Sequence, residues 1–178
     1  MTDQCVFCGI VEDKIGSAKI YEDEFVICIL DIFPASKGHM LVIPKKHFSI
    51  SAQMDADTTA HVFEVVNKMS ALLFETLGAE GTNIIVSNGT IAGQKVNHVC
   101  VNIIPRYKDD GVNISWKNEQ IKEEELKDIF TKITSKGNSV TEEPKEVKIV
   151  EEPIQEVVAE SEEVKEEVKE EPEDEVLP

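Results

Sequence analysis

Apolar side chains recur along the first 140 residues with two different periods, and the change of period marks out the elements. Residues 25–31 and 40–43 are apolar and rich in β-branched side chains, which predicts two strands. Between them FPASKG, residues 33–38, carries the Pro and Gly that punctuate a turn. Val62, Val66, Met69, Leu73 and Leu77 then recur at spacings of three and four, one face of a helix that Asp55 or Asp57 caps and Gly78 ends. NIIVSN (83–88) and VNHVCVNII (96–104) read as two more strands joined by the loop GTIAGQK. A last helix is expected with Asn118 as its cap, Leu126, Phe130 and Ile133 on one face, and Gly137 at its end. Strands with one long helix packed on a sheet predict an α+β domain with a shorter C-terminal helix.

Charge separates this domain from the C-terminal 40 residues. Residues 141–178 hold 16 acidic groups and 4 lysines, leaving 19 acidic and 14 basic groups on the first 140 residues. The expected division is a globular domain over 1–138 and an acidic Glu/Val/Lys/Pro-rich tail over 139–178. The tail repeats EEP and EEVK loosely, without aromatics. It buries too little apolar surface to offset its ordering entropy, so disorder is expected, with a protein partner as its natural use. No basic patch interleaved with aromatics is present, which argues against nucleic acid. No segment is apolar and long enough to span a bilayer, so the expectation is a cytoplasmic protein.

KVNHVCVNIIPR, residues 95–106, sets a chemical question. On a strand His98, Cys100 and Asn102 would share one face, with Val99, Val101 and Ile103 on the other. Four cysteines, two of them as Cys5-x-x-Cys8, point to metal or redox use in a reducing compartment. Two thiolates at this spacing can share a zinc ion, but a tetrahedral site needs two more ligands. The candidates are His39, His47, His61, His98, Cys28 and Cys100. Cys28 lies in an apolar strand and reads as a small core residue, and His61 as a solvated helix residue. Cys5, Cys8, His47 and His98 make a Cys₂His₂ set, which spacing alone leaves level with an idle thiol pair and unrelated histidines.

Four motifs in order, LDIFP, KGHMLVIPKKH, NGTIAGQ and the alternating strand ending IIPR, resemble the histidine-triad (HIT) superfamily over about residues 4–110. The resemblance implies an α+β fold with an antiparallel sheet, a homodimer, and a purine-nucleotide pocket opening onto the polar-row strand. It implies that Cys5, Cys8, His47 and His98 hold a zinc ion; four protein ligands leave no open position, so the ion would be structural. It also implies that Asp31 contacts the ribose hydroxyls, that Asn88 and Gln94 bond phosphate oxygens, and that His39 lies near the active site. By themselves Asn88-Gly89 is an ordinary turn pair, Gln94 a loop residue and His39 a strand-end histidine. Lys95 stands where many relatives carry Ser or Thr; its charge favours a phosphate or simply faces water.

The triad itself departs from the family pattern. His-x-His-x-His is here His98-Val-Cys100-Val-Asn102. In the family the middle histidine attacks the α-phosphorus, and Cys100 stands at that position. A thiolate is a good nucleophile when positive charge lowers its pKa, and zinc on His98 would supply some. Yet Cys is shorter than His, and about 1 Å of misplacement costs on the order of a hundredfold. Cys100 could alternatively join the metal. At the third position the Asn102 amide can still hydrogen-bond the backbone. The leading expectation is a zinc-stabilised purine-nucleotide-binding protein with weak or no hydrolase activity. The rival is an active nucleotidyl hydrolase or transferase working through Cys100 or a remodelled site.

Overall fold

In the computed structural model, which describes residues 5–137, the branched aliphatics of the strand runs pair into one antiparallel sheet. The elements are α1 (Val6–Val11), β1 (Lys19–Glu22), β2 (Val26–Leu30), β3 (Met40–Pro44), α2 (Ala56–Leu77), β4 (Gly81–Val86), β5 (Val101–Arg106) and α3 (Glu123–Gly137). The strand order is β1-β2-β3-β5-β4, so β5 lies between β3 and β4. Met40 pairs Ile103 and Val42 pairs Val101 on one side of β5; Ile103 pairs Ile84 and Val101 pairs Val86 on the other. The expected α+β fold is therefore present.

Alternation across the strands splits the apolar residues into two clusters. Val26, Cys28, Met40, Val42, Val101 and Ile103 pack beneath Val62, Val65, Val66, Met69 and Leu73 of α2. Each such side chain, when fully covered, stabilises by roughly 1.5–3 kcal/mol relative to exposure. On the opposite face Ile27, Ile29, Leu41 and Ile43 meet Ile10, Phe7 and Val11 of α1, together with Cys100. Asp55 caps α2, its Oδ1 accepting the Thr58 N–H at 2.8 Å, and Gly78 ends it in the left-handed region at φ 63°. Gly38, at φ +91°, leaves room for Leu77: a Cβ there would lie 2.5 Å from Leu77 Cδ1.

Three sequence expectations are corrected. The strand expected over 96–104 begins at Val101, because the backbone bends before it: the His98 N–H bonds the Val96 carbonyl and the Val99 N–H bonds that of Phe48. The last helix starts at Glu123, so Asn118 does not cap it; Glu123, Glu124 and Glu125 place negative charge at its N-terminus instead. His61 is not merely solvated, since its Nε2 lies 2.7 Å from Asp23 Oδ2 and its ring meets Phe25 edge-on at 5.3 Å.

The chain divides after Lys117 into two compact units, and α3 belongs to the second. Within α3 the ion pairs Glu123–Lys127 and Asp128–Lys132 join side chains one turn apart, while Leu126, Phe130 and Ile133 are exposed. The acidic tail over 139–178 lies outside the described residues. No helix among the described residues is long and apolar enough to cross a membrane.

Asp23 ties the β1–β2 turn to α2. Burial raises its pKa, but hydrogen bonds from the Tyr21 hydroxyl, the Val26 and Phe25 N–H groups and His61 outweigh it and hold the carboxyl well below its ordinary value. A folded pKa below the unfolded value of about 3.9 stabilises the fold above that pH and ceases to do so as the pH falls through the folded value. Asp23→Asn is expected to cost about 1 kcal/mol at neutral pH. In thermal melts, its deficit relative to the unaltered chain should shrink as the pH is lowered from about 6 to about 3.

Candidate functional site

Four metal-capable side chains from three distant stretches converge at one edge of the α1-bearing face. Cys5 immediately precedes α1, Cys8 sits one turn into it, His47 comes after β3, and His98 occupies the bend before β5. Their ligand atoms all lie within 4.8 Å of one another. Cys5 Sγ is 3.5 Å and Cys8 Sγ 3.6 Å from His98 Nδ1, and Cys8 Sγ is 3.3 Å from His47 Nδ1. A tetrahedral zinc with its usual bond lengths sets neighbouring sulfur and nitrogen about 3.5 Å apart, so the donor set fits the ion in type and in spacing. Cys100 is not among these residues and packs instead in the apolar cluster.

The histidine at the centre of this set is oriented by the fold. His98 is 1% exposed, and its Nε2–H donates to the Pro44 carbonyl at 2.8 Å. That bond fixes the tautomer and turns the Nδ1 lone pair toward the thiols, as a metal-binding imidazole requires. Burial lowers the His98 pKa; the Pro44 bond opposes this and nearby His47 adds to it, keeping the ring neutral. Burial, together with Cys5, pushes the Cys8 thiol up to about 11, so a metal would bind here by displacing protons. The ring of Phe7, on α1, meets His98 edge-on at 5.9 Å.

Beside the cluster lies a cavity of about 610 Å³. One wall is α1, through Val6, Phe7 and Ile10; another is the end of β2 and the loop after it, through Ile29, Asp31, Ile32 and Phe33. His98, Cys100 and Asn102 form part of the floor, and Ser87 with residues 93–96 closes the far side. The structure thus brings Asp31, His39, Gln94, His98, Cys100 and Asn102 to one cavity. Ile32 and Phe33, 80% and 82% exposed, and the α1 wall were not assigned from sequence; the exposed apolar pair within LDIFP was the available signal.

Each polar side chain is held by defined partners. His39 is buried: its Nδ1 accepts the Ala35 N–H at 3.2 Å, and its Nε2 lies 3.2 Å from Asn102 Oδ1. With Nδ1 accepting, Nε2 carries the proton and donates to Asn102, whose own Nδ2 donates to the Ile85 carbonyl at 3.2 Å. Asp31 Oδ1 accepts the Phe33 N–H at 2.9 Å, and its Oδ2 is 3.4 Å from His39 Nδ1. Gln94 ties the loop: Oε1 accepts the Gly89 N–H and Nε2 donates to the Ser49 carbonyl, both at 2.7 Å. Asn88 stands outside the cavity wall, its Oδ1 accepting the Ser51 N–H at 2.8 Å.

Cys100 contrasts with these. Its sulfur makes no hydrogen bond among the described residues and packs against the Ile27, Ile29, Leu41 and Ile43 cluster. Burial pushes its thiol up to about 12, with Asp31 and Cys28 adding in the same direction. Among the described residues no positive group offsets that, so the sulfur is held as the weakly nucleophilic thiol.

Comparison with known proteins agrees with this architecture. The HIT domain profile matches residues 12–109. A HIT-like protein of Methanocaldococcus jannaschii is 41% identical over 129 residues, covering 72% of this chain and 98% of that one. The adenosine 5'-monophosphoramidase hnt1 of Schizosaccharomyces pombe is 36% identical, covering 74% and 97%. The crystal structure of a Zn-bound histidine triad family protein from Mycobacterium smegmatis superposes with a TM-score of 0.60 at 31% identity, covering 78% of this chain and 99% of that one. The chain belongs to the HIT family. It carries that family's fold with a Cys/His group able to bind a metal, and its triad positions read His98, Cys100 and Asn102, the first two ahead of β5.

The relay through Asn102 has a measurable worth. Asn102→Leu would leave the buried His39 Nε2–H without its Asn102 acceptor, at about 1–3 kcal/mol where water cannot reach it. Urea denaturation should show that loss as a lower midpoint with an unchanged slope.

Proposed function

We propose that this protein binds a purine nucleotide in the 610 Å³ cavity, holds a structural zinc ion beside it, and turns nucleotide over weakly or not at all. The observation that carries the reading is the setting of Cys100: the position from which the family's nucleophile acts holds a short, unpartnered side chain packed among aliphatics. A purine ring suits the apolar end, where Ile29, Ile32 and Phe33 meet the α1 wall. Asp31 then accepts from the ribose hydroxyls, and His39 orients Asn102 beneath the α-phosphate. Gln94 holds the phosphate loop in shape, and Asn88, outside the cavity wall, fastens the start of that loop to Ser51.

Zinc at Cys5, Cys8, His47 and His98 anchors α1, and with it one wall of the pocket. With four protein donors it has no site for water, so its part is structural. The cysteines must stay reduced to bind it, which suits the cytoplasm. A homodimer is supported by the free edge of β4, where Ile84 is exposed, and by exposed Phe74 and Leu77 on α2. The acidic tail is assigned to contacts with a protein partner.

Two measurements test the reading. Metal analysis of the purified chain should find one zinc per chain, and Cys8→Ser should lose it together with about 3 kcal/mol or more of stability. AMP should bind by calorimetry while adenosine 5'-monophosphoramidate, the substrate class of the hnt1 relative, is scarcely hydrolysed. Robust hydrolysis that Cys100→Ala abolishes would favour the rival enzyme, and absence of nucleotide binding would leave only a structural role.

A further inference from the structure

One charged group of the cavity has no part in that scheme. Lys95 is the one lysine or arginine among the residues that line it. It makes no ion pair or hydrogen bond among the described residues, whereas Lys19, Lys45, Lys68, Lys127 and Lys132 each pair with a carboxylate. Its backbone root is nonetheless fixed. Gln94, next to it, is held at both ends of its amide by Gly89 and Ser49, and reaches toward the His98 carbonyl at 3.5 Å. Gly89 and Gly93, at φ +90° and +88°, form the tight turn that delivers Lys95 to the cavity mouth. The backbone of Lys95 is therefore held at the pocket's edge, and its ammonium has no partner among the described residues.

Sheet order gives that edge a direction. Asp31 comes just after β2, Cys100 and Asn102 belong to the approach and body of β5, and Lys95 lies on the β4–β5 connection. With the ribose at Asp31 and the α-phosphate at Cys100 and Asn102, as proposed above, Lys95 on the β4–β5 connection is the cationic lining residue left for the next group out. We infer that Lys95 is a specificity-determining residue that selects nucleotides bearing a second anionic group on the α-phosphate, the nucleoside 5'-diphosphate class, over nucleoside monophosphates. A neutral amine on the α-phosphate gains nothing from an ammonium in that place. A β-phosphate gains a charge-assisted hydrogen bond and loses no partner that the lysine already had.

This rests on the nucleotide-pocket reading, and the experiment separates the two. ADP and AMP are titrated by calorimetry, without magnesium so that no metal masks the β-phosphate, into the zinc-loaded full chain and into its Lys95→Ser, Lys95→Glu and Lys95→Arg variants. Exposure of Lys95 at the rim makes these variants fold alike, which matching melting curves verify. The unaltered chain should prefer ADP; Lys95→Ser should weaken ADP about fivefold and AMP less than about twofold. Lys95→Glu should reverse the preference, Lys95→Arg should keep it, and raising the salt to about 0.5 M should narrow it. If AMP binds and Lys95→Ser weakens both nucleotides equally or neither, the inference is overturned and the pocket reading stands. If neither nucleotide binds the unaltered chain, both fall.

Discussion

The register of β5 is the constraint on which the rest of the structure depends. Val101 and Ile103 project beneath α2, while Asn102 projects into the cavity, beside Cys100 just before the strand. Pairing on both sides, to Met40 and Val42 and to Ile84 and Val86, fixes this assignment. A slip of one residue would carry Asn102 into the valine-rich core and two branched aliphatics into the polar pocket. The desolvation of an unpaired amide and the lost burial both oppose it. One strand thereby has two duties: its apolar residues hold α2, and the residues between them furnish the pocket floor.

The second organising feature lies where that strand begins. Because the chain bends at 96–98, His98 leaves the ladder and its ring reaches the Pro44 carbonyl on one side and the two thiols on the other. His98 thus belongs both to the metal-binding group and to the cavity wall. The short α1, whose six residues include Val6, Ile10 and Val11, has little helix-forming strength of its own. Its place on the sheet comes from the burial of Ile10 with Phe7 and from the convergence of Cys5 and Cys8 on the two histidines. Metal chemistry and pocket shape are therefore built from the same few residues.

Much of this was legible in the sequence, and the failures have physical causes. The α2 face and its C-cap came from spacing and from Gly78, with the N-cap narrowed to Asp55 or Asp57, since a helix of 22 residues shows its period many times over. The four metal-capable side chains were legible as a set from residue type and spacing, but only resemblance raised that set above an idle thiol pair and unrelated histidines. α1 and β1 escaped because each is too short to show a period and draws its stability from tertiary contacts. The early start given to the polar strand came from alternation alone, which cannot register a backbone bend at Asn97 and His98. His61 looked like a surface residue because its partner, Asp23, is 38 positions away. The relay from Ala35 through His39 and Asn102 to Ile85 could not be read at all, since it joins the loop before β3 to β5 and β4, a neighbourhood the sequence does not print.

The central claim is the loss of nucleophilic reach at Cys100, inside a pocket whose other polar members remain oriented. The most direct measurement is rapid-quench mass spectrometry of the unaltered chain mixed with an adenylylated substrate, with the peptide carrying Cys100 read for added mass. That peptide should keep its unmodified mass at every time point while the ligand is bound. A nucleotidyl adduct on Cys100 that forms and decays at the rate of turnover would contradict the claim.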